Sequence, residues 1–237
     1  MSEPRSNSDR RPVTSESADV MTSATDRRST ILESIAAAAR LAKRDPAEVQ
    51  LIAVTKTHPA SEIEPLIAAG QRDFGESRVQ EAQDKWTALR AAHPDLRLHC
   101  IGRLQSNKAA DAVALFDTIH SLDRPSLLDA LVAAGIAAGR FPSVYVQVNI
   151  GDEPQKGGVP LADLPDFLDR VRASPLPLLG LMAIPPLGPQ PGPFFALLAK
   201  LAKRHDVTGL SMGMSSDYPT AVMLGATAVR VGTAFFD

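Results

Sequence analysis

LIAVTK, residues 51–56, is the stretch on which the fold turns. Leu51, Ile52, Ala53 and Val54 form a short continuous apolar run of the kind expected for a strand buried on both faces, as in a parallel sheet. Lys56 falls where that strand should reach the surface. Outward from this unit the chain alternates short apolar runs with helix-like stretches, the pattern of a parallel sheet with helical crossovers. After LIAVTK the strand candidates are RDFGES (72–77), LRLHCIG (96–102), TIHSLD (118–123), SVYVQVNI (143–150), LLGLMAI (178–184), GLSMG (209–213) and AVRVGTAFF (228–236). Helices are expected between them over 62–69, 79–91, 108–115, 126–138, 161–173, 194–204 and 218–224. Eight strands with alternating helices predict a single α/β domain, a closed (β/α)8 TIM barrel; an open doubly wound sheet is the alternative.

Before the first strand, ILESIAAAARLAKR is helical by composition and by the spacing of Ile31, Ile35 and Leu41, with Ser29 or Thr30 as its N-cap. Residues 1–28 are rich in Ser, Thr, Asp and Arg and poor in large apolar side chains, so a disordered N-terminal tail is expected there, with the barrel over 29–237.

The 237 residues carry 25 basic and 27 acidic side chains, a formal charge of −2 that offers no broad attraction for nucleic acid or an anionic membrane. The single cysteine, Cys100, excludes an intramolecular disulfide framework, and no His and Cys cluster has metal-ligand spacing. No segment approaches the roughly 18 apolar residues of a membrane span, and no secretory signal opens the chain, so a soluble cytoplasmic protein is expected.

Barrel active sites lie at the C-terminal ends of the strands, which is where Lys56 stands. It is either a rim lysine whose head reaches into water, or a partly desolvated amine with a depressed pKa, able to form a Schiff base with a carbonyl. At the far end of the chain, Ser215 and Ser216 precede a short helix, Gly232 offers close backbone approach, Thr233 a hydroxyl and Arg230 a permanent charge. Barrel phosphate sites use the loops after strands seven and eight, so these residues could form one. Each has a plainer reading, the glycine and serine as turn and cap residues and Arg230 as half of a structural salt bridge.

AVTKTHPASEI, DFGESRVQEAQDKW, HCIGRLQSNK, VNIGDEPQKGG, GLMAIPP, LSMGMSSDYPTAV and VRVGTAFF, in that order, resemble the pyridoxal phosphate homeostasis protein family from about Ile31 to Phe236. The resemblance implies a barrel of the alanine racemase N-terminal domain type, with pyridoxal 5'-phosphate (PLP) held as an imine on Lys56. It also places the phosphate-binding serine on Ser215 beside Met214, further phosphate contacts on Gly232 and Thr233, and the arginine near the pyridine ring on Arg230. The family's FGEN segment reads Phe74-Gly75-Glu76-Ser77 here, so the contact at Ser77 passes from an amide to a shorter hydroxyl. IPPLGPQPGPFF (184–195) is short and proline-rich where relatives carry a longer acidic stretch.

The function implied is a PLP-binding protein of cofactor homeostasis, holding PLP and delivering it to apoenzymes as a monomer, without strong catalysis of its own. A PLP-dependent amino acid racemase is the alternative, and a cofactor-free Schiff-base aldolase a third reading. The chain stops directly after strand eight, without the racemase's second domain, and neither Tyr145 nor Tyr218 is an obvious counterpart of its catalytic tyrosine. Cys100, His99, His120, Trp86 and Leu89 are expected as core or rim residues.

Overall fold

The computed structural model describes residues 15–236, with side chains from residue 23 onward. Eight parallel strands follow one another round a closed barrel in sequence order. They are β1 (Gln50–Val54), β2 (Asp73–Glu76), β3 (Arg97–Cys100), β4 (Thr118–Leu122), β5 (Ser143–Gln147), β6 (Leu178–Met182), β7 (Gly209–Ser211) and β8 (Ala228–Val231). Every expected strand is present, and Ile52 opposite Arg230 lies in the register that closes β8 on β1. The crossovers are α2 (Ala60–Ala68), α3 (Val79–Ala92), α4 (Ala109–Leu115), α5 (Pro125–Ala138), α6 (Leu164–Arg172), α7 (Gly192–Arg204) and α8 (Tyr218–Met223), preceded by α1 (Ser15–Leu41) and followed by the turn α9 (Thr233–Phe236).

Two expectations differ from this. AVRVGTAFF is not one strand: β8 ends at Val231 and the chain turns into α9. The break falls at Gly232, where an added Cβ would stand 3.3 Å from Val54 Cβ, so the chain passes close over the end of β1. The expected boundary between tail and barrel at residue 28 falls inside α1. Once residues 29–41 have nucleated a helix, extending it is cheap, and its upstream turns are anchored. Ala24 is buried, Arg27 Nη1 donates to Phe235 O at 2.9 Å, and Arg28 Nε donates to Gln71 Oε1 at 3.3 Å. At the other end of the helix Arg44 Nη1 donates to Val222 O and Ala226 O at 2.8 and 2.9 Å. Residues 1–14 of the expected tail lie outside the described residues.

The apolar core fills the layer between strands and helices, with Phe74, Trp86, Phe116, Phe195 and Phe235 fully buried. Inside the barrel, beside apolar side chains such as Ile52, runs a chain of polar groups. His120 on β4 bonds Ser211 Oγ on β7 through Nδ1 at 2.8 Å, a contact between non-neighbouring strands that has to cross the interior. His120 Nε2 meets His99 Nδ1 at 3.0 Å, and His99 Nε2 meets Asp73 Oδ1 at 3.0 Å. Arg97 clamps both oxygens of Asp73 at 2.6 Å, and Arg230 Nη1 donates to Ser211 Oγ at 2.5 Å.

Arginine only donates and a carboxylate only accepts, so Arg230 is the donor at one end of this chain of bonds and Asp73 the acceptor at the other. Burial, then His99 and Arg230, hold His120 well below its ordinary pKa, which keeps it neutral. Asp73 falls to about 2: burial opposes ionisation, but the bonds from Arg97 and His99 outweigh it. The two histidines are therefore polar core residues, as one of their expected readings had it.

Deleting residues 1–28 should lower stability by about 1–3 kcal/mol, since it removes Ala24 and the Arg27 and Arg28 bonds; an unchanged urea midpoint would show that these contacts contribute nothing. Acid sensitivity should begin early. Below about 6.5 the unfolded chain protonates His120 and the folded chain does not, so stability falls by about 1.4 kcal/mol per pH unit. The contribution of Asp73, full above 3.8, is lost as pH falls toward 2. Urea midpoints of the wild type should therefore fall between roughly pH 6.5 and 4.5, and His120→Phe should flatten that slope; equal slopes would reject the assignment.

Candidate active site

Lys56 stands two residues beyond β1 and is held from both sides by its neighbours. Thr55 is buried, and its Oγ1 donates to Glu76 Oε1 at 2.6 Å. Lys85 Nζ bonds Thr55 O at 2.7 Å and pairs with Glu76 Oε1 at 2.9 Å, while Trp86 Nε1 donates to the same carboxylate oxygen at 2.9 Å. Thr57 takes the left-handed conformation, φ 70°, with its N–H donating to Glu81 Oε1 at 2.9 Å. The backbone is thus fixed on either side of a side chain that is itself exposed. The desolvation expected of the amine is not supplied by the protein alone.

Facing Lys56 across the mouth is the β7 to β8 side. Gly213 has φ +93°, and an added Cβ would meet Ala221 Cβ at 2.6 Å, so glycine is required there. The following turn is tied by Met214 N–H donating to Asp217 Oδ1 at 2.6 Å. Ser215 Oγ accepts the Gly232 N–H at 3.1 Å, drawing the two loops together. Thr233 and Ala234 open α9, where N–H groups have no intrahelical partner. Arg230 is buried, and besides Ser211 it donates to Ala183 O at 3.2 Å. Burial pulls its pKa down to about 10, partly offset by Asp217 and Tyr145, so it remains a cation at neutral pH. No carboxylate pairs with it among the described residues, which removes the structural salt-bridge reading.

A cavity of about 910 Å³ opens between these walls, and all seven residues expected at a binding site line it: Lys56, Ser77, Met214, Ser215, Arg230, Gly232 and Thr233. Ser77, the shorter hydroxyl, reaches the cavity; its backbone is packed against Gly102, whose Cβ would meet Ser77 O at 2.3 Å. The sequence reading missed His58 and Phe236, which also line the mouth, stacked at 3.6 Å and 12°. Phe236 was expected on a strand, and only the turn at Gly232 brings it to His58. Ser211 and Asp73, which end the chain of bonds behind Arg230, were missed as well. Their one visible signal is polar residues set in otherwise apolar strand runs.

Cys100 is a buried core thiol pushed up to about 12 by burial, so it offers no nucleophile. Tyr145 and Tyr218 are both buried and neither lines the cavity; Tyr145 stacks on His120 at 4.6 Å. Among the described residues no group of His, Cys, Asp and Glu is placed to hold a metal ion.

The family description "Alanine racemase, N-terminal domain" matches residues 30–237. A pyridoxal phosphate homeostasis protein of Synechocystis is 41% identical over 201 residues, 81% of this chain and 92% of the relative. One of Escherichia coli K12 is 38% identical over 216 residues, 87% and 92% of the two chains. Among solved structures, PipY of Synechococcus elongatus PCC7942 with PLP bound is 43% identical, covers 87% of this chain and all of its own, and superposes with a TM-score of 0.76. Alanine racemase from Corynebacterium glutamicum, at 20% identity and TM-score 0.62, shares the fold. On this likeness and on its closed eight-stranded barrel, the chain belongs to the pyridoxal phosphate homeostasis protein family, built on the alanine racemase N-terminal domain.

Proposed function

We propose that this chain binds pyridoxal 5'-phosphate and serves its homeostasis in the cytoplasm, holding the cofactor on Lys56 and releasing it to PLP-dependent apoenzymes as a monomer. The observation that carries this reading is the cavity itself: three separate segments of the chain bring an exposed primary amine, a buried guanidinium and an anion cradle to one mouth. The groups present fit the cofactor. An aldehyde requires the amine, and a phosphate requires N–H and hydroxyl donors: Thr233 offers its N–H and hydroxyl and Ser215 its hydroxyl, while Gly232 N–H, held by Ser215 Oγ, draws the two loops together around the anion. The relatives named for PLP homeostasis and the PLP-bound PipY support the same assignment.

When bound, PLP supplies an electron-withdrawing ring that can stabilise a carbanion. The residues here do little to exploit that. Arg230, which would face the ring nitrogen, is a cation that only donates, so it disfavours a protonated ring and weakens the electron sink. A racemase also needs a positioned acid or base at the mouth. Both tyrosines are buried away from the cavity, and His58 is tied through Nδ1 to Glu62 at 2.7 Å. Lys56 therefore holds the cofactor, Arg230 orients it and the cradle retains its phosphate, an arrangement suited to storage and hand-over. No helix among the described residues is long and apolar enough to cross a membrane.

Borohydride treatment of the PLP-loaded protein should fix a pyridoxyl group on the peptide containing Lys56, and Lys56→Ala should abolish the label. Labelling chiefly at Lys85 or Lys108 would displace the assignment. Amino acid turnover at about 1 per second or faster, lost in Lys56→Ala, would replace a carrier by an enzyme. For the cradle, Ser215→Ala should weaken PLP by about 1 kcal/mol, because the N–H groups remain. Thr233→Glu should weaken it far more by charge repulsion, in equilibrium titrations followed by absorbance. Pyridoxal without its phosphate binding as tightly as PLP would sink the cradle.

A further inference from the structure

Beside the mouth lies a second cavity of about 880 Å³, separated from the first by Ser77, which lines both. It is walled by Arg78, at the start of α3, and by the GRLQSNK part of the HCIGRLQSNK motif, to which the proposed function gives no role. Its charge is unbalanced. The guanidinium groups of Arg78 and Arg103 have no ion-pair or hydrogen-bond partner among the described residues, and Lys108 only approaches Asp111 at 3.9 Å. Glu81 is the carboxylate on the wall, with Oε1 already accepting the Thr57 N–H. Four cations, Arg78, Arg103, Lys108 and Arg124, against the carboxylates of Glu81, Asp111 and Asp123 leave one net positive charge, and the two unpaired guanidinium groups face the cavity.

The wall is also braced. Arg124 pairs with Asp123 through Nη1 at 2.5 Å and donates through Nη2 to Leu104 O at 2.8 Å and Ser106 Oγ at 3.3 Å. That clamp fixes the 103–108 loop, so Arg103 and Lys108 spring from an ordered backbone. Like charges collected on a fixed wall repel one another unless an anion answers them, and guanidinium forks match phosphate oxygens in pairs.

We propose that this second cavity binds a phosphomonoester dianion, through Arg78, Arg103 and Lys108, independently of the site at the barrel mouth. A phosphomonoester offers several oxygens to the two unpaired guanidinium forks, and the cavity has the volume of a small-molecule site. Ser77, the wall shared with the mouth, puts such a ligand within reach of the proposed cofactor site.

Inorganic phosphate is the probe, titrated by calorimetry into the full chain and into three variants. Thr233→Glu should remove phosphate binding at the mouth and leave one site. In that background, Arg78→Gln with Arg103→Gln should weaken the remaining site at least tenfold; both side chains are exposed, so circular dichroism should show the fold intact. Arg103→Lys should restore part of the affinity. Loss of all phosphate binding in Thr233→Glu, an unchanged affinity in the double glutamine variant, or no binding to the wild type would each overturn the inference. Failure of borohydride labelling at Lys56 would count against PLP binding and leave these phosphate results untouched.

Discussion

A guanidinium buried in a barrel without a carboxylate beside it is the constraint on which the rest depends. Arg230 lies on β8, and burial of a charge is tolerated only where fixed dipoles replace water. Ala183 O and Ser211 Oγ do so directly, but the nearest compensating charge along the bonded path is Asp73, four hydrogen bonds away. The intervening hydroxyl and imidazoles link a donor at one end of the path to an acceptor at the other. The polar path through the barrel interior serves this need, and Arg230 is held without an acid that would neutralise it at the mouth.

A second buried charge governs the other wall. Glu76 receives Thr55, Trp86 and Lys85 on one oxygen, while its Oε2 has no partner among the described residues. Removing one member of such a buried pair strands the other. The carboxylate thus ties the end of β1 to α3 directly beneath Lys56. The amine faces water from a backbone that cannot drift, so its reach is set by its own side-chain torsions.

Much of this architecture was legible in the sequence because each strand is a short apolar run ended by a polar or small residue, and Lys56 marks such an end. The same periodicity placed Trp86 against the barrel, where it packs on Phe74 at 4.9 Å. The start of α1 was not legible: residues 15–28 have little apolar pattern, and two arginines bonding distant groups leave no periodic trace. Nor was the bonded path through the interior, since Asp73, His99, His120, Ser211 and Arg230 meet only once closure sets the register of non-neighbouring strands. The residues of the mouth were found through motifs, while the pairing of His58 with Phe236 depended on a turn that the apolar run AVRVGTAFF conceals.

The clasp made by α1 bears on how the protein comes into being. Arg27 and the Phe235 carbonyl it holds are 208 positions apart, and the mouth likewise joins the end of the first strand to residues beyond the last. Contacts of such separation are the slowest to form, because the intervening chain must be ordered first. On the ribosome Lys56 emerges long before Ser215, Gly232 and Thr233 exist to face it. The mouth is therefore completed among the last parts of the barrel to be made, and stable capture of a ligand there would report that the whole barrel has closed.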